Sequence, residues 1–150
     1  MSRNIPLLCG AIGSFFIAAL HVAILIAGPV WFRYFGAPDL AIQIERGSTL
    51  APTLLTLAVA LVFAIWGAYA LAGLGAIGRL PAVRPVLFAI GAVYALRGLL
   101  LVPALVYLLR GGALHAPRYL VFSAFSLALG ICHLLGAWRA GGRANNRILS

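Results

Sequence analysis

The chain has 150 residues, 64% of them hydrophobic and 9% charged, and its eleven basic residues, all arginine, oppose two acids for a formal charge of +9. Soluble domains carry about 25% charged residues, so a mean hydropathy of +1.10 excludes an ordinary soluble domain, and the length leaves room for one compact unit. An isoelectric point near 11.1 does not indicate nucleic acid, because the arginines punctuate apolar segments instead of forming a soluble basic face.

Crossing about 30 Å of hydrocarbon takes about 20 apolar residues in a helix. Four stretches qualify: 5–27, 53–74, 85–109 and 119–138. The first is too long for the apolar run of a cleaved signal peptide, and Gly28–Pro29–Val30–Trp31 follows it where a small-residue cleavage site would stand. Runs this long and uniformly apolar are not the alternating strands of a barrel. The expected fold is all-α: a four-transmembrane-helix bundle over residues 1–139 with a short interfacial helix in the first outer loop, and a basic tail over 140–150.

The connection after the first span, Gly28–Pro52, carries Trp31, Phe32, Tyr34 and Phe35 around Arg33, the composition of an interfacial aromatic belt. Beyond Gly36, Asp39 is placed to cap a short helix reaching Arg46, with Gly47 as its terminator. Ala37, Leu40, Ala41 and Ile44 would form its apolar face, lying flat on the outer surface or covering the bundle; a well-anchored loop is the alternative. The interfacial residues singled out are Trp31, Arg33, Asp39 and Glu45. The remaining connections, Gly75–Arg84 and Arg110–Arg118, are short turns between antiparallel neighbours. His115, in the last of them, reads as solvated.

With both termini on one side, that side holds Arg3, Arg79, Arg84, Arg139, Arg143 and Arg147, against Arg33, Arg46, Arg110 and Arg118 on the other. The excess places the termini in the cytoplasm, and Gly141–Arg147 reads as a mobile basic tail on anionic lipid.

Small residues recur at helical spacing. Gly10, Ser14, Ala18 and His21 share a face of the first span, and Thr53, Thr56, Ala60, Ala64 and Gly67 a face of the second. Ser123, Ser126, Gly130, His133 and Ala137 form the clearest stripe, on the fourth. Such stripes let helices approach closely in lipid.

The anomaly is Arg97, near the middle of the third span. An ionisable residue at that depth is by default a functional candidate. His133 lies about 8 Å above the cytoplasmic end of its helix and His21 about 24 Å above that of its own. Side chains lean toward the N-terminus of their helix, so Arg97 and His133 approach in depth, with Tyr94 one turn from Arg97. Arginine stays protonated, so a neighbouring His133 would accept its hydrogen bond. No carboxylate lies in any span. Arg97 must therefore meet carbonyls, hydroxyls, water, a folded-in Glu45, or an anionic or carbonyl-bearing ligand. The ligand-binding candidates are Arg97, His133, Tyr94 and His21.

Several chemistries lack their residues. Bis-histidine haem needs two histidines at one depth, and carboxylate-driven antiport needs an acid in a span. Cys9 and Cys132 share a depth but form no CxxC pair and read as small buried apolar residues. No catalytic set, zinc spacing or phosphate loop is present, and no cofactor is indicated.

The runs Phe35–Gly36–Ala37–Pro38, Tyr69–Ala70–Leu71–Ala72–Gly73–Leu74–Gly75, Arg79–Leu80–Pro81 and Tyr94–Ala95–Leu96–Arg97–Gly98–Leu99 resemble those of small bacterial four-helix inner-membrane proteins of unknown function. The resemblance implies a bacterial inner-membrane location and no catalytic residues. Glu45–Arg46 is similar to the start of a motif in the membrane-associated eicosanoid and glutathione family, but the His, Asn and Glu that should follow are absent. Two readings stand. One is a non-enzymatic accessory or oligomeric membrane component whose partners are lipids, a second copy or a larger complex. The other is a binder of an anionic lipid, quinone or other amphiphile held by Arg97 in the bundle core, with transport a third possibility.

Overall fold

Among the described residues, four helices are long and apolar enough to cross a membrane: Ile5–Ala27, Leu50–Leu74, Val83–Leu109 and Arg118–Ala140, of 23, 25, 27 and 23 residues. They belong to a computed structural model that describes residues 4–78, 80–111 and 117–146, the last six as backbone only. Arg3, Arg79, Arg147, the side chain of Arg143 and His115, all used in the sequence reading, lie outside the described residues. The described residues are helical or in turns, in the order α1 (Ile5–Ala27), α2 (Pro29–Tyr34), α3 (Pro38–Glu45), α4 (Leu50–Leu74), α5 (Val83–Gly98), α6 (Leu101–Leu109) and α7 (Arg118–Asn146). At most 33% of the most apolar stretch of each span is buried. Leucine, isoleucine and phenylalanine cover the outside, an arrangement that suits lipid and would be a large exposed patch in water. The chain is an all-α, multi-pass integral membrane protein of the four-helix class.

Prolines move the helix boundaries away from where the sequence reading put them. Pro52 and Pro85 sit inside the first turns of α4 and α5, which start at Leu50 and Val83 instead of 53 and 85. A first-turn proline gives up no intrahelical bond. Pro103 has the opposite effect, since it has no N–H for the Leu99 carbonyl four residues back. The helix yields at Leu99 and Leu100, and the Val102 N–H takes the Leu99 carbonyl at 3.0 Å. The single helix expected over 85–109 is therefore α5 followed by α6. At the other end, α7 continues through Asn146, into the stretch read as a tail.

The chain divides into two compact units, one of Met1–Ile12 with Ala68–Ser150 and one of Gly13–Gly67. In the first, α5 packs along α7. Leu87, Ile90, Gly91, Tyr94 and Gly98 form the buried stripe of α5. The small-residue stripe of α7 is buried throughout, as its spacing indicated: Ser123 is 4% exposed, Ser126 9%, and His133 and Ala137 0%. Contact here is backbone on backbone. A Cβ on Gly98 would lie 2.5 Å from the Leu127 nitrogen, and one on Gly130 2.6 Å from the Ala95 nitrogen. Asn4, buried at 2% exposure, ties the start of α1 to α7: its Nδ2 donates to the Gly136 carbonyl at 2.9 Å. Its Oδ1 accepts the Leu7 N–H at 3.4 Å, in the manner of an N-cap.

In the second unit, α2 and α3 form a packed cover on α1. Phe32 and Ala41 close on Ile24, with Leu20, Leu25, Phe35, Ala37, Leu40 and Ile44 around them. Ala37, Leu40, Ala41 and Ile44 do form the inward face, so the loop alternative is overturned. Three details of the reading are corrected. Two short helices replace one, Phe32 is core instead of belt, and Asp39 lies in the first turn of α3 after Pro38, with no side-chain cap. Proline at N1 fixes the entry of each helix. Each also ends in a glycine of positive φ, Gly36 at 90° and Gly47 at 85°. Beyond them, Ala37 N–H reaches the Phe32 carbonyl and Ser48 N–H the Gln43 carbonyl, which closes both helix ends. Within the same unit, Gly67 of α4 receives the Phe15 ring of α1, whose atoms come within 2.7 Å of a Cβ built there.

A methyl group added at Gly98 meets the Leu127 backbone, whereas one at Gly73 meets the mobile ends of Leu7 and Leu87. Overpacking costs about 1–3 kcal/mol where neighbours cannot yield. Gly98→Ala should therefore lower thermal stability in detergent clearly more than Gly73→Ala. Equal melting temperatures for the two variants would refute the backbone contact.

Candidate functional site

Helix geometry decides the fate of Arg97. The Leu87, Gly91, Tyr94 and Gly98 stripe turns toward α7, and Arg97 lies about 100° round the helix from Gly98. It is exposed, and among the described residues it makes no hydrogen bond or ion pair. It sits mid-way along the Val83–Leu109 span, two residues before the break at Leu99. The expected Arg97–His133 pair does not form. Glu45, the acid considered as a folded-in partner, pairs with Arg33 instead.

Tyr94 and His133 meet each other, although the sequence reading set both beside Arg97. Their ring centroids lie 5.4 Å apart at 32°. His133 Nδ1–H donates to the Leu129 carbonyl of its own helix at 2.9 Å. Its Nε2 is buried and has no hydrogen-bond partner among the described residues. Gly10 supplies the space, since a Cβ there would come within 2.8 Å of the ring. Gly10 and His133 thus explain each other: any larger residue on α1 would displace the imidazole.

His21 stands in the second unit. Its Nδ1–H donates to the Ile17 carbonyl at 2.8 Å, and its ring packs on Phe63 at 5.3 Å. It borders a cavity of about 160 Å³ between α1, the α2–α3 cover and the start of α4, walled by Ile24, Phe32, Phe35, Leu40 and Leu55. Thr56 lines it too, but its hydroxyl donates to the Pro52 carbonyl at 2.7 Å.

On the cover, Trp31 is exposed beside Phe35, 5.8 Å between centroids. Arg33 grips Glu45 in a two-pronged ion pair, with Nη2 to Oε2 at 2.6 Å and Nη1 bonded to Oε1. Asp39 is exposed in the first turn of α3, where its charge suits the helix dipole. Hydrogen bonding to Arg33 holds the Glu45 carboxyl below its usual range, and Glu45 raises Arg33 in return.

Cys9 is exposed and Cys132 partly buried, both as free thiols, so Cys9 is not the buried apolar residue expected. What the sequence reading missed are Asn4, Gly91 and Gly98. The two glycines stand seven residues apart on one face of α5, with Tyr94 between them and Leu87 one turn before Gly91. That spacing was the available signal. Comparison with protein-family models, curated proteins and solved structures finds no match.

A carboxyl held below its usual range stabilises the fold above its unfolded value, about 4.3, and loses that contribution as pH falls through the folded value. The α2–α3 amides should therefore be less protected, relative to their intrinsic exchange rates at each pH, below about pH 4 than at pH 7. In Glu45→Gln this acid step should vanish. An unchanged acid step in that variant would show that another group drives it.

Proposed function

We propose that this integral membrane protein is a non-enzymatic accessory component that assembles side by side with a membrane helix of another protein. The observation that carries the proposal is Arg97, an exposed guanidinium at mid-span without a partner among the described residues. A central arginine costs about 2.5–3.5 kcal/mol on insertion scales. A carboxylate at matching depth offsets that cost and supplies a two-pronged bond. A second copy is the poorer partner, because its spans carry no acid and a two-fold contact would bring Arg97 toward Arg97. An anionic headgroup is poorer as well, since it resides at the interface and not at mid-depth. The outward position of Arg97 also weighs against the core ligand site that the sequence reading considered. The setting proposed is a bacterial inner membrane, on the resemblance of the short runs given above, with both termini cytoplasmic, on the arginine excess near the ends of the spans. A reporter fused after Ser150 should be active only in the cytoplasm; activity confined to the far side would reverse the topology.

Because Arg97 has no bond to strand among the described residues, Arg97→Leu should leave detergent stability unchanged or raise it. A polyleucine helix with one central glutamate should associate with the wild-type chain in vesicles, by energy transfer, more tightly than its all-leucine control. Polar contacts between membrane helices contribute about 0.6–2 kcal/mol, a three- to thirty-fold preference, which Arg97→Leu should erase. Destabilisation by Arg97→Leu, or a preference that survives it, would overturn the proposal.

A further inference from the structure

The cavity beneath the α2–α3 cover holds the second polar feature that the packing leaves unused. Its volume, about 160 Å³, is close to that of an engineered apolar cavity, about 150 Å³, that admits benzene. Phe32 and Phe35 contribute aromatic walls, and Ile24, Leu40 and Leu55 aliphatic ones. Two lining groups are polar, His21 and Thr56. The carbonyl of Ile17 can only accept, so the proton of the neutral His21 ring is on Nδ1 and Nε2 is left as an acceptor. Thr56 has spent its proton on the Pro52 carbonyl, so its oxygen also has only acceptor capacity left. Both groups therefore ask for a donor. A hydrocarbon tail provides none, and neither does a ring that bears only carbonyls.

We propose that this cavity binds a membrane-dissolved, six-membered aromatic ring carrying a hydroxyl, of the phenol or hydroquinone class, with His21 Nε2 accepting the hydroxyl proton in a hydrogen bond. The depth suits such a molecule. His21 lies six residues from the end of α1 and Thr56 six from the start of α4, about 9 Å inside the helix ends. Hydroxylated rings partition near that boundary, where one end of the molecule is wet and the other apolar. The cover supplies the enclosure, and Ile24, Phe32, Phe35, Ala37 and Leu40 belong both to the cavity wall and to the packed cluster. The site involves neither Arg97 nor His133.

The test uses the full-length chain in lipid nanodiscs, with 4-fluorophenol and fluorobenzene as probes read by fluorine NMR against empty nanodiscs. Both should show a saturable component, and after correction for partitioning the phenol should bind about two- to twelve-fold tighter, the range of one hydrogen bond of about 0.5–1.5 kcal/mol. His21→Phe preserves a ring against Phe63 and should bring that ratio to one, while Ala37→Trp, which fills the cavity, should remove saturable binding of both. In the wild-type chain, 4-fluorophenol should shift the Nε2 nitrogen resonance of His21, and fluorobenzene should not. Absence of a saturable component, a ratio unchanged in His21→Phe, binding that survives Ala37→Trp, or an unmoved His21 resonance would each overturn the proposal.

Discussion

The contact on which this molecule depends is the one between glycines of α5 and the backbone of α7. Lipid offers no hydrophobic drive between helices, so association rests on close packing and on polar bonds. Gly98 against Leu127, Gly91 against Leu134 and Gly130 against Ala95 leave no space for a methyl group. That contact fixes the rotation of α5 about its axis. Tyr94 shares the glycine face and is driven into the interior, onto His133. Arg97 falls just beyond the edge of that face and is left outside. A rotation of one residue would exchange their roles, so the functional reading of Arg97 follows from glycine packing instead of from any bond Arg97 makes.

The same contact explains which parts of the fold were legible. Span count and approximate limits follow from length and hydropathy, which depend on no neighbour. The α7 stripe was legible because Ser123, Ser126, Gly130 and His133 contrast with the large apolar residues around them. The inward face of α3 was legible because Asp39 and Glu45 mark its opposite side. On α5 no such contrast exists, since almost every residue is apolar and lipid accepts the same side chains as the interior. Depth arithmetic brought the side chains of Arg97 and His133 toward each other but carried no information about azimuth. The prolines misled for a related reason. Pro52 and Pro85 are tolerated in a first turn, Pro103 breaks an interior, and sequence distance from an unknown helix start cannot separate the two cases.

Charge placement adds a second constraint. The chain has two acids, and both lie on the short helix α3. Glu45 is bound by Arg33, which staples α3 to α2, and Asp39 stands in the first turn of its helix. Neither use is available to a guanidinium at mid-span. The arginines near the helix ends reach water or headgroups by extending their side chains. Arg97 is too deep for that route to be cheap. The case for an outside carboxylate therefore rests on how the chain spends its own acids as much as on where Arg97 points.

The two described histidines show how far local sequence can mislead about a site. Each sits in a small-residue stripe, and each donates Nδ1–H to the carbonyl four residues back, Ile17 for His21 and Leu129 for His133. Locally they are the same motif, and each leaves Nε2 as an acceptor. Their surroundings differ. Around His133 the space is filled, by Tyr94 on one side and by the close approach of Gly10 on the other. Its Nε2 is buried, and the ring packs against Tyr94 and Gly10. Beside His21 the α2–α3 cover leaves a ring-sized space. An acceptor next to an apolar volume selects a donor of matching shape. The distinction arises from Gly10 and Phe32, neither of which is a polar residue.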